Sequence, residues 1–559
     1  MKQRAPRVGL TTNGVKMKKL GVFLLATVGF ASLAHAADLL PTTKAPPPAS
    51  PNCFASVWTW LDSTPADCPL SWGPFTVYAT VDVGLTYESN GAPYNAAWNN
   101  GVDSFIQKQS YGPKWLWSPN NLSQSVAGIK MSQPIGYGWS VIGTWEWGFN
   151  PYYGYPAAAQ QAQVQNNGKA LLLQSANADS SRTGQPDNSQ AFIGVSNKTF
   201  GTLTAGRINT LSLDAINSYD PMGGSYAFSP LGFSGSFAGF GDTEAARANT
   251  AVKYRVDFPS PVYGANLRVG GLVQWGGYDQ GNGTNGLYQG QVGGDFNLFG
   301  GTPYAGTLSL DAIGSYAQDA VNLSTFTGTC ATLTKGPFAG QTGCTSGLPL
   351  ASGFKYSFYS NTDLKATLSN NTGVLLTAKY KWQALTVYGG YAWLRQEDPS
   401  DTFPDGFRTI GGWNVPGTIP STFPGASKFW PTQWISYTTY AVPRIAPYFW
   451  VGAKYAINPQ LDVTGAFYYL QQSDYNTTAC TGALAAFVQP NGNKLTVARS
   501  SSGSCAGSED FFSALIDYRP FKRVDLYAGL MVSNVYGGLA NGFPATQDIS
   551  PTAGLRIKF

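Results

Sequence analysis

Six cysteines are the side chains whose chemistry is easiest to interpret in this chain of 559 residues. They fall into three pairs that are close in sequence, namely Cys53 with Cys68, Cys330 with Cys344, and Cys480 with Cys505. No C-x-x-C spacing occurs, so a metal site is the weaker interpretation. Fifteen pairings of six cysteines exist, and nearness in sequence is the one guide among them. We predict three local disulfides, which would require an oxidising compartment.

Such a compartment is indicated by the first 36 residues, which have the features of a secretory leader. Three lysines between positions 16 and 19 precede an apolar run over residues 20–33, and Ala34-His35-Ala36 is a small-x-small cleavage site. An N-terminal membrane anchor is the alternative, but the run is shorter than the roughly 20 apolar residues of a spanning helix. We therefore expect a signal peptide over residues 1–36, with Met17 as a second candidate start.

Loss of this leader would restrict the available catalysis, because His35 is the only histidine in the sequence. A mature chain without imidazole cannot form a Ser/His or Cys/His nucleophile pair or a histidine metal site. Catalysis by carboxylates alone stays open in principle. We predict no enzyme activity, no cofactor and no metal.

The leader also accounts for the apparent basicity of the chain. It contains six of the 35 Lys and Arg and none of the 30 Asp and Glu, which leaves 29 bases against 30 acids, a net charge of −1. A nucleic-acid partner needs a surplus of clustered positive charge, so none is predicted. The charged fraction is 12%, about half of the roughly 25% usual for soluble domains.

The elements that would carry any function are strands with one apolar face. Every odd position from Phe75 to Tyr87 is apolar, and most of the even positions between them are polar. The last residues of the chain repeat this alternation and end on Phe559. Many segments of about 10 residues with this period are typical of a transmembrane β-barrel, so we predict an all-β fold.

Sixteen strands follow from the alternation and from turn residues between the segments. The connections after even-numbered strands are short and those after odd-numbered strands are mostly long, which is the arrangement of a membrane barrel with tight turns at one rim. An even number of antiparallel strands permits closure, which lipid requires. The predicted strands lie near 75–87, 124–132, 139–149, 190–197, 200–208, 247–258, 264–277, 287–299, 306–317, 372–382, 385–394, 447–457, 460–470, 510–518, 523–535 and 550–559.

Several stretches resemble the general porins of Gram-negative bacteria, especially those of beta-proteobacteria. The most specific is Gln190-Ala-Phe-Ile-Gly-Val-Ser196 followed by Phe200-Gly-Thr-Leu-Thr-Ala-Gly-Arg207. The first strand and the C-terminal Gly554-Leu-Arg-Ile-Lys-Phe559 are similar too. The resemblance implies an outer-membrane homotrimer, in contact with lipid and lipopolysaccharide, through which ions and small hydrophilic solutes diffuse passively.

It also implies that the third long loop, about residues 209–246, folds into the lumen and narrows the pore. Acidic side chains of this loop would face basic residues of the wall, although they could instead be merely solvated. The acids are Asp214, Asp220, Asp242 and Glu244, and the facing bases at the positions of the family's arginines are Arg207 and Arg247. Thr80 and Val126 stand where general porins often have further basic residues.

The alternation independently assigns charged side chains to the water-filled face. Arg247, Lys253 and Arg255 share one face of their strand, opposite apolar neighbours, and a lipid-facing Arg or Lys near the midplane would cost about 2–4 kcal/mol. Arg207 shares parity with apolar residues, and a bulge at Gly206 would turn it inward. The same parity predicts that Arg268, Glu146, Asp82 and Lys130 face the lumen.

Residues 37–73 fit neither strand nor loop patterns, and the barrel is expected over 74–559. This Pro-rich segment with its predicted Cys53–Cys68 ring suggests an extension at the periplasmic rim, which could touch the cell wall or partly plug the pore. Two other functions remain alternatives. One is adhesion through the long loops 318–371 and 395–446, and the less favoured one is an outer-membrane enzyme.

Overall fold

The computed structural model describes about two thirds of residues 74–559 and part of the preceding segment, all within one compact unit from residue 51 to 559. The described residues are 52–91, 106, 112–152, 154, 189–231, 247–260, 264–275, 286–325, 329–332, 342–345, 364–398, 400, 407–410, 413–416, 440–475, 486–488, 494–496, 505–540 and 545–559. The predicted signal peptide, Asp242, Glu244 and Cys480 lie outside them.

Strands dominate the described residues, which hold 24 strands and two α-helices. The helices are α1 (Val57–Leu61) and α2 (Leu211–Tyr219). The strands are β1 (Leu70–Trp72), β2 (Phe75–Glu88), β3 (Lys114–Pro119), β4 (Ser125–Gly136), β5 (Trp139–Phe149), β6 (Ala191–Asn197), β7 (Gly201–Asn209), β8 (Arg247–Pro259), β9 (Asn266–Trp275), β10 (Gly286–Leu298), β11 (Gly306–Thr325), β12 (Thr329–Thr332), β13 (Thr342–Thr345), β14 (Leu364–Trp382), β15 (Leu385–Glu397), β16 (Phe407–Ile410), β17 (Trp413–Pro416), β18 (Arg444–Asn458), β19 (Leu461–Gln472), β20 (Ala486–Val488), β21 (Lys494–Thr496), β22 (Gly507–Phe521), β23 (Val524–Gly537) and β24 (Gln547–Lys558).

Sixteen of these strands form a closed antiparallel barrel. Each wall strand pairs with the next in the chain, in the order β2, β4 to β11, β14, β15, β18, β19 and β22 to β24. The ring closes because β24 pairs with β2, with Thr80 opposite Lys558 and Thr86 opposite Thr552. Closure leaves no open sheet edge in the wall. The predicted all-β fold with sixteen antiparallel strands is confirmed.

The alternation in the sequence corresponds to two different faces of the wall. On β18, Phe449 and Val451 are 41% and 49% exposed, whereas Tyr448 and Trp450 between and beside them are buried. The exposed apolar side chains form the outer face, which suits contact with lipid acyl chains. The buried ones point to the interior, where something must cover them.

The structure extends the sequence prediction in three places. β11 and β14 run to Thr325 and from Leu364, well beyond the predicted 306–317 and 372–382. β3 continues the line of β4 along β2, separated from it by residues 120–124. Strand β1 lies within 37–73, where no strand was predicted. It pairs with the start of β2. Only Gly73 and Pro74 separate β1 from β2, so the two strands form a tight hairpin, and three residues are too few to show a period of two.

The predicted Cys53–Cys68 disulfide is present, with an S–S distance of 2.01 Å. Cys505 is disulfide-bonded as well, but its predicted partner Cys480 is outside the described residues. The backbone register of β12 and β13 sets Cys330 directly opposite Cys344. These two strands were not predicted, and the Cys330–Cys344 bond stays a prediction.

None of the helices in the described ranges has the length and apolar character needed to cross a membrane.

Candidate functional site

Strand β7 leads into an internal loop that the structure describes over residues 210–231, and this loop opens with helix α2. The hydroxyl of Thr210 accepts a hydrogen bond from the backbone N–H of Leu213 at 3.2 Å. A threonine N-cap of this kind satisfies one of the unpaired N–H groups at a helix start. The helix ends at its C-cap, Asp220. The sequence predicted a compact loop here but no helix.

The first half of the internal loop is fixed to strands β10 and β11. The backbone N–H of Leu211 donates to the side-chain oxygen of Gln289 at 2.7 Å. Gln289 in turn donates from Nε2 to the hydroxyl of Ser212 at 2.8 Å. At the other end of the helix, the hydroxyl of Tyr219 donates to the carboxylate of Asp311 at 2.6 Å. Both helix ends are therefore held by polar side chains of the wall.

The second half is fixed to strands much farther around the ring. Trp450 on β18 donates from its indole nitrogen to the carbonyl of Tyr219 at 3.0 Å. The hydroxyl of Ser513 on β22 donates to the carbonyl of Phe228 at 2.6 Å, and the backbone N–H of Ala227 donates to the carbonyl of Asn121 at 3.0 Å. One short loop can reach β10, β18, β22 and the segment before β4 only from inside the barrel.

Apolar side chains of the internal loop pack against the inner face of the wall. The participating loop side chains are almost fully buried, and they join one cluster with inward-facing wall residues. The loop contributes Leu211, Ala215, Ile216, Tyr219, Met222, Ala227, Phe228 and Leu231, and the wall contributes Leu272, Leu287, Ile313, Leu375, Trp450, Tyr468, Phe511, Leu515, Tyr527 and Met531, among others. The sequence predicted charged side chains on the inner face of the wall, whereas at the level of the loop many inward-facing side chains are apolar and packed.

The sequence does contain a signal for this apolar contact between the loop and the wall. Leu272, Leu287, Ile313, Leu375 and Phe511 occupy positions where the period-2 pattern calls for polar, inward-facing side chains. A group of such exceptions on many strands predicts that something apolar fills the interior at that height.

Asp220 is a buried anchor of the loop, only 3% exposed. Its carboxylate accepts hydrogen bonds from the hydroxyl of Tyr468 at 2.6 Å, from the backbone N–H of Gly224 at 2.7 Å and from that of Met222 at 3.3 Å. Burial raises the pKa of this carboxyl, and the hydrogen bond from Tyr468 opposes the shift. The geometry gives Asp220 the job of holding the turn after α2.

Asp214, in the first turn of α2, forms an ion pair with the wall. Its carboxylate lies 2.8 Å from the Nζ atom of Lys253 on β8, which also donates to the carbonyl of Asn209 at 2.8 Å. Both side chains keep partial exposure, 25% for Asp214 and 15% for Lys253. An acid of the loop and a base of the wall thus meet inside the barrel.

Arg207 and Arg247 flank the loop at its two wall strands, and both are buried, at 4% and 6% exposure. The expected bulge is present: the pairing of β7 with β8 shifts register between Gly206 and Ile208. Gly206 has φ +137° there, a conformation that favours glycine. Arg255, farther along β8, lies 3.7 Å from Asp257.

Arg268 is the centre of an ion-pair cluster that joins four adjacent strands. Its guanidinium lies 2.8 Å from Asp257 on β8, 3.1 Å from Asp295 on β10 and 2.7 Å from Asp311 on β11. Asp311 is the acceptor of the Tyr219 hydroxyl described above, so the cluster also supports the end of α2. A guanidinium suits this role because its fixed donors can serve several carboxylates at once.

Asp82 faces inward as parity predicted, but it is completely buried rather than exposed to a lumen. Its carboxylate accepts from the backbone N–H groups of Leu122 and Ser123 at 2.7 and 3.0 Å. It also accepts from the hydroxyl of Tyr527 at 2.6 Å. Asp82 therefore fixes the segment between β3 and β4. Asn121 of this segment accepts a hydrogen bond from the internal loop.

Lys130 and Glu146 lie on the neighbouring strands β4 and β5, and Tyr78 of β2 connects them. The Nζ atom of Lys130 lies 4.4 Å from the centre of the Tyr78 ring, and the Tyr78 hydroxyl donates to Glu146 at 2.7 Å. Ser189 donates to the other carboxylate oxygen of Glu146. Lys130 is exposed, so this part of the wall presents charge to water.

The residues with described side chains were compared with the ligand sets that a metal ion needs. No group of three or more His, Cys, Asp or Glu there could hold a metal ion.

Comparison with known proteins gives a family for this geometry. No curated protein matches the sequence. Similar solved structures include an anion-selective porin from Comamonas acidovorans, with a TM-score of 0.46 and 13% identity over 87% of this chain and 99% of that one. OmpT of Vibrio cholerae, in a trimer form, has a TM-score of 0.44 and 10% identity over 87% and 99%. OmpF of Salmonella typhi with daunomycin has 0.41 and 12% over 87% and 97%.

The family assignment itself rests on a sequence model described as Gram-negative porin, which matches residues 22–536. That match takes in most of the barrel wall and the whole internal loop, so the chain belongs to the Gram-negative porin family.

Proposed function

We propose that this outer-membrane porin conducts ions and small hydrophilic solutes by passive diffusion through the space that the internal loop leaves inside the barrel. The observation that carries the proposal is the loop itself, anchored at β10, β11, β18 and β22 within a closed wall. If part of the inner wall remains in contact with water, an anchored loop narrows the barrel without closing it. The exposed Lys130 on β4 supports a water path along that side.

The charges that would set ion selectivity are the bases of β7 and β8 and the acids of the loop. We propose Arg207, Arg247 and Asp214 at the constriction, together with Asp242 and Glu244. Lys253, Arg255, Lys130, Glu146 and Arg268 are proposed to contribute to the surrounding field. Asp220 is proposed to act by holding the loop. Because selectivity follows the charges around the narrowest ring, the group of bases should favour anions slightly.

Reversal potentials across planar bilayers in a salt gradient would test this assignment. Arg247→Ala should shift the reversal potential toward cation preference, since it removes a positive charge next to the loop. Lys198→Ala is a suitable control, because Lys198 is an exposed cation in the short turn between β6 and β7. An unchanged reversal potential for Arg247→Ala would remove Arg247 from the constriction.

Family and fold favour a channel over an enzyme. We propose in addition that the mature chain begins at Ala37 after loss of residues 1–36, and that residues 37–73 precede a barrel domain from residue 74 onward. The mass of the protein purified from outer membranes would test the start, and a mass that includes residues 1–36 would contradict it.

We also propose a homotrimer embedded in lipid and lipopolysaccharide, the assembly implied by family resemblance. Chemical cross-linking of the protein in native membranes should give a species of three chains as the largest product. A ladder that stops at a single chain would contradict the trimer.

A further inference from the structure

The segment before the barrel forms a rim cap, defined as residues 52–72, which contains α1, β1 and the Cys53–Cys68 disulfide. The cap lies at the end of the barrel where the wall strands are joined by short turns, beside the turn between β22 and β23 and the C-terminal residue. In Gram-negative porins the short turns face the periplasm. Large apolar side chains of this cap are nevertheless exposed.

A buried arginine of the wall connects the rim cap to the barrel. Arg523, in the β22–β23 turn, is fully buried and donates to the carbonyls of Cys68 at 2.8 Å, Trp60 at 3.0 Å and Thr64 at 3.2 Å. Its guanidinium lies 4.6 Å from the centre of the Trp60 ring. Arg523 thus joins both the helix and the disulfide ring of the cap to the wall.

Pairing register places the strand of the cap on the lipid-facing side of the wall. In the β1–β2 pair, Trp72 is opposite Phe75 and Leu70 is opposite Val77. Directly opposed residues of an antiparallel pair point to the same face. Phe75 and Val77 are 40% and 51% exposed and belong to the apolar outer face of β2. Leu70 and Trp72 therefore continue that face at the short-turn rim.

The helix of the cap reaches the same side. The ring of Trp58 lies 5.6 Å from that of Phe521, which is paired with Val524. Val524 shares parity with Leu526 and is thus on the outer face. A second contact, between Trp60 and Phe559 at 5.5 Å, joins α1 to the end of β24.

Together these contacts place two exposed tryptophans, Trp58 and Trp72, beside the lipid-facing belt, and we call this pair the rim patch. Trp58 and Trp72 are 67% and 84% exposed, and Phe54 and Val57, which are near Trp58 in sequence, are 67% and 68% exposed. Val57 and Trp58 are adjacent in α1. Apolar groups this exposed mark an interaction surface, and tryptophan is the side chain most suited to the headgroup region of a bilayer.

We propose that the rim cap is an interfacial membrane anchor, with the rim patch inserted at the boundary between headgroups and acyl chains of the periplasmic leaflet. The cap would then fix the depth of the barrel at its short-turn rim. Its outward apolar face makes lipid the partner, rather than the pore mouth or the cell wall. The argument requires a membrane-embedded barrel and is independent of what the lumen conducts.

Site-specific photocross-linking would test the anchor in the full chain, with its disulfides intact, reconstituted in vesicles of phosphatidylethanolamine and phosphatidylglycerol. Trp72→p-benzoylphenylalanine and Trp58→p-benzoylphenylalanine should yield lipid adducts by mass spectrometry at a level similar to Val451→p-benzoylphenylalanine on the outer face of β18. Ala66→p-benzoylphenylalanine is the control, because Ala66 is exposed on the cap outside the rim patch, and should give several-fold fewer adducts.

Two results would overturn the proposal. One is the absence of lipid adducts at both tryptophan sites while Val451 labels normally. The other is a covalent product of two chains, which would make the patch an interface between copies. If a photoprobe variant fails to fold, Trp72→Phe serves instead. The experiment compares how much tryptophan fluorescence is quenched by phosphatidylcholine brominated near the top of its acyl chains. Trp72→Phe should show less quenching than the wild type, and equal quenching in the two proteins would count against the anchor.

Discussion

At the scale of single residues, Asp220 shows how a carboxylate in a pore can be structural. It is buried and accepts hydrogen bonds from one tyrosine hydroxyl and two backbone N–H groups. Resemblance placed an acid at this point of the loop, but it could not tell an acid that lines water from one that holds a turn. The difference depends on Tyr468, which is 248 positions away in sequence.

Asp220→Ala should loosen the internal loop, because it leaves these buried donors without an acceptor. An unsatisfied buried group costs about 1–3 kcal/mol, so we expect a lower unfolding temperature and noisier single-channel current. Tyr468→Phe removes a single donor and should have a smaller effect of the same sign. A quiet channel with an unchanged unfolding temperature in Asp220→Ala would contradict this role.

The raised pKa of Asp220 also predicts a pH dependence. A folded-state pKa above the usual 3.8 means that the folded protein binds this proton more tightly than the unfolded chain does. The contribution to stability is then complete below pH 3.8 and is lost as the pH rises through the folded-state value. Relative to Asp220→Asn, which does not titrate, the wild type should gain unfolding temperature as the pH falls from 7 to 4. A relative loss would contradict the sign.

At the scale of elements, glycines in the wall make room for the loop. A Cβ atom at Gly452 on β18 would lie 2.4 Å from the Cγ atom of Pro221 and 2.6 Å from the carbonyl of Gly465. Neither neighbour is a flexible side-chain end. Gly452 is therefore a position where the wall and the internal loop approach each other closely.

Gly452→Ala should push the loop away from β18 and destabilise the barrel by about 1–3 kcal/mol, the usual range for overpacking. Heat-induced unfolding in detergent would measure the loss. Gly290→Ala is the control, since a Cβ atom at Gly290 meets nothing within 4 Å. Equal stability of the two variants would mean that the loop is not held against β18.

The wall strands could be predicted from the sequence because lipid on one side and water or a packed loop on the other impose a period of two. Short elements such as β1, β3 and α1 could not. Strand β1 pairs with the adjacent β2, but its three residues are too few to show a period of two, whereas α1 needs Arg523, which is more than 450 positions later. The site was predicted in part. Parity assigned Lys253 and Arg268 to the inner face, whereas the apolar cluster of loop and wall residues around Trp450 was not predicted.

At the scale of the whole molecule, the structure combines a closed wall, a loop anchored across its interior and a cap at one rim. The wall excludes lipid from the interior, and the loop sets how much of that interior remains for water. Charge pairs such as Asp214 with Lys253 lie where loop and wall meet, which is where they could act on a passing ion. Diffusion through the barrel is the activity that this arrangement supports.

Single-channel conductance in planar bilayers tests this account most directly. The wild type should give large, ohmic current, in three equal steps if the trimer is correct. A variant with residues 211–230 replaced by a short Gly-Ser linker should conduct more per step, because the loop no longer narrows the lumen. No current from the folded wild type, or the same conductance with and without the loop, would contradict the claim that the internal loop constricts a water-filled channel.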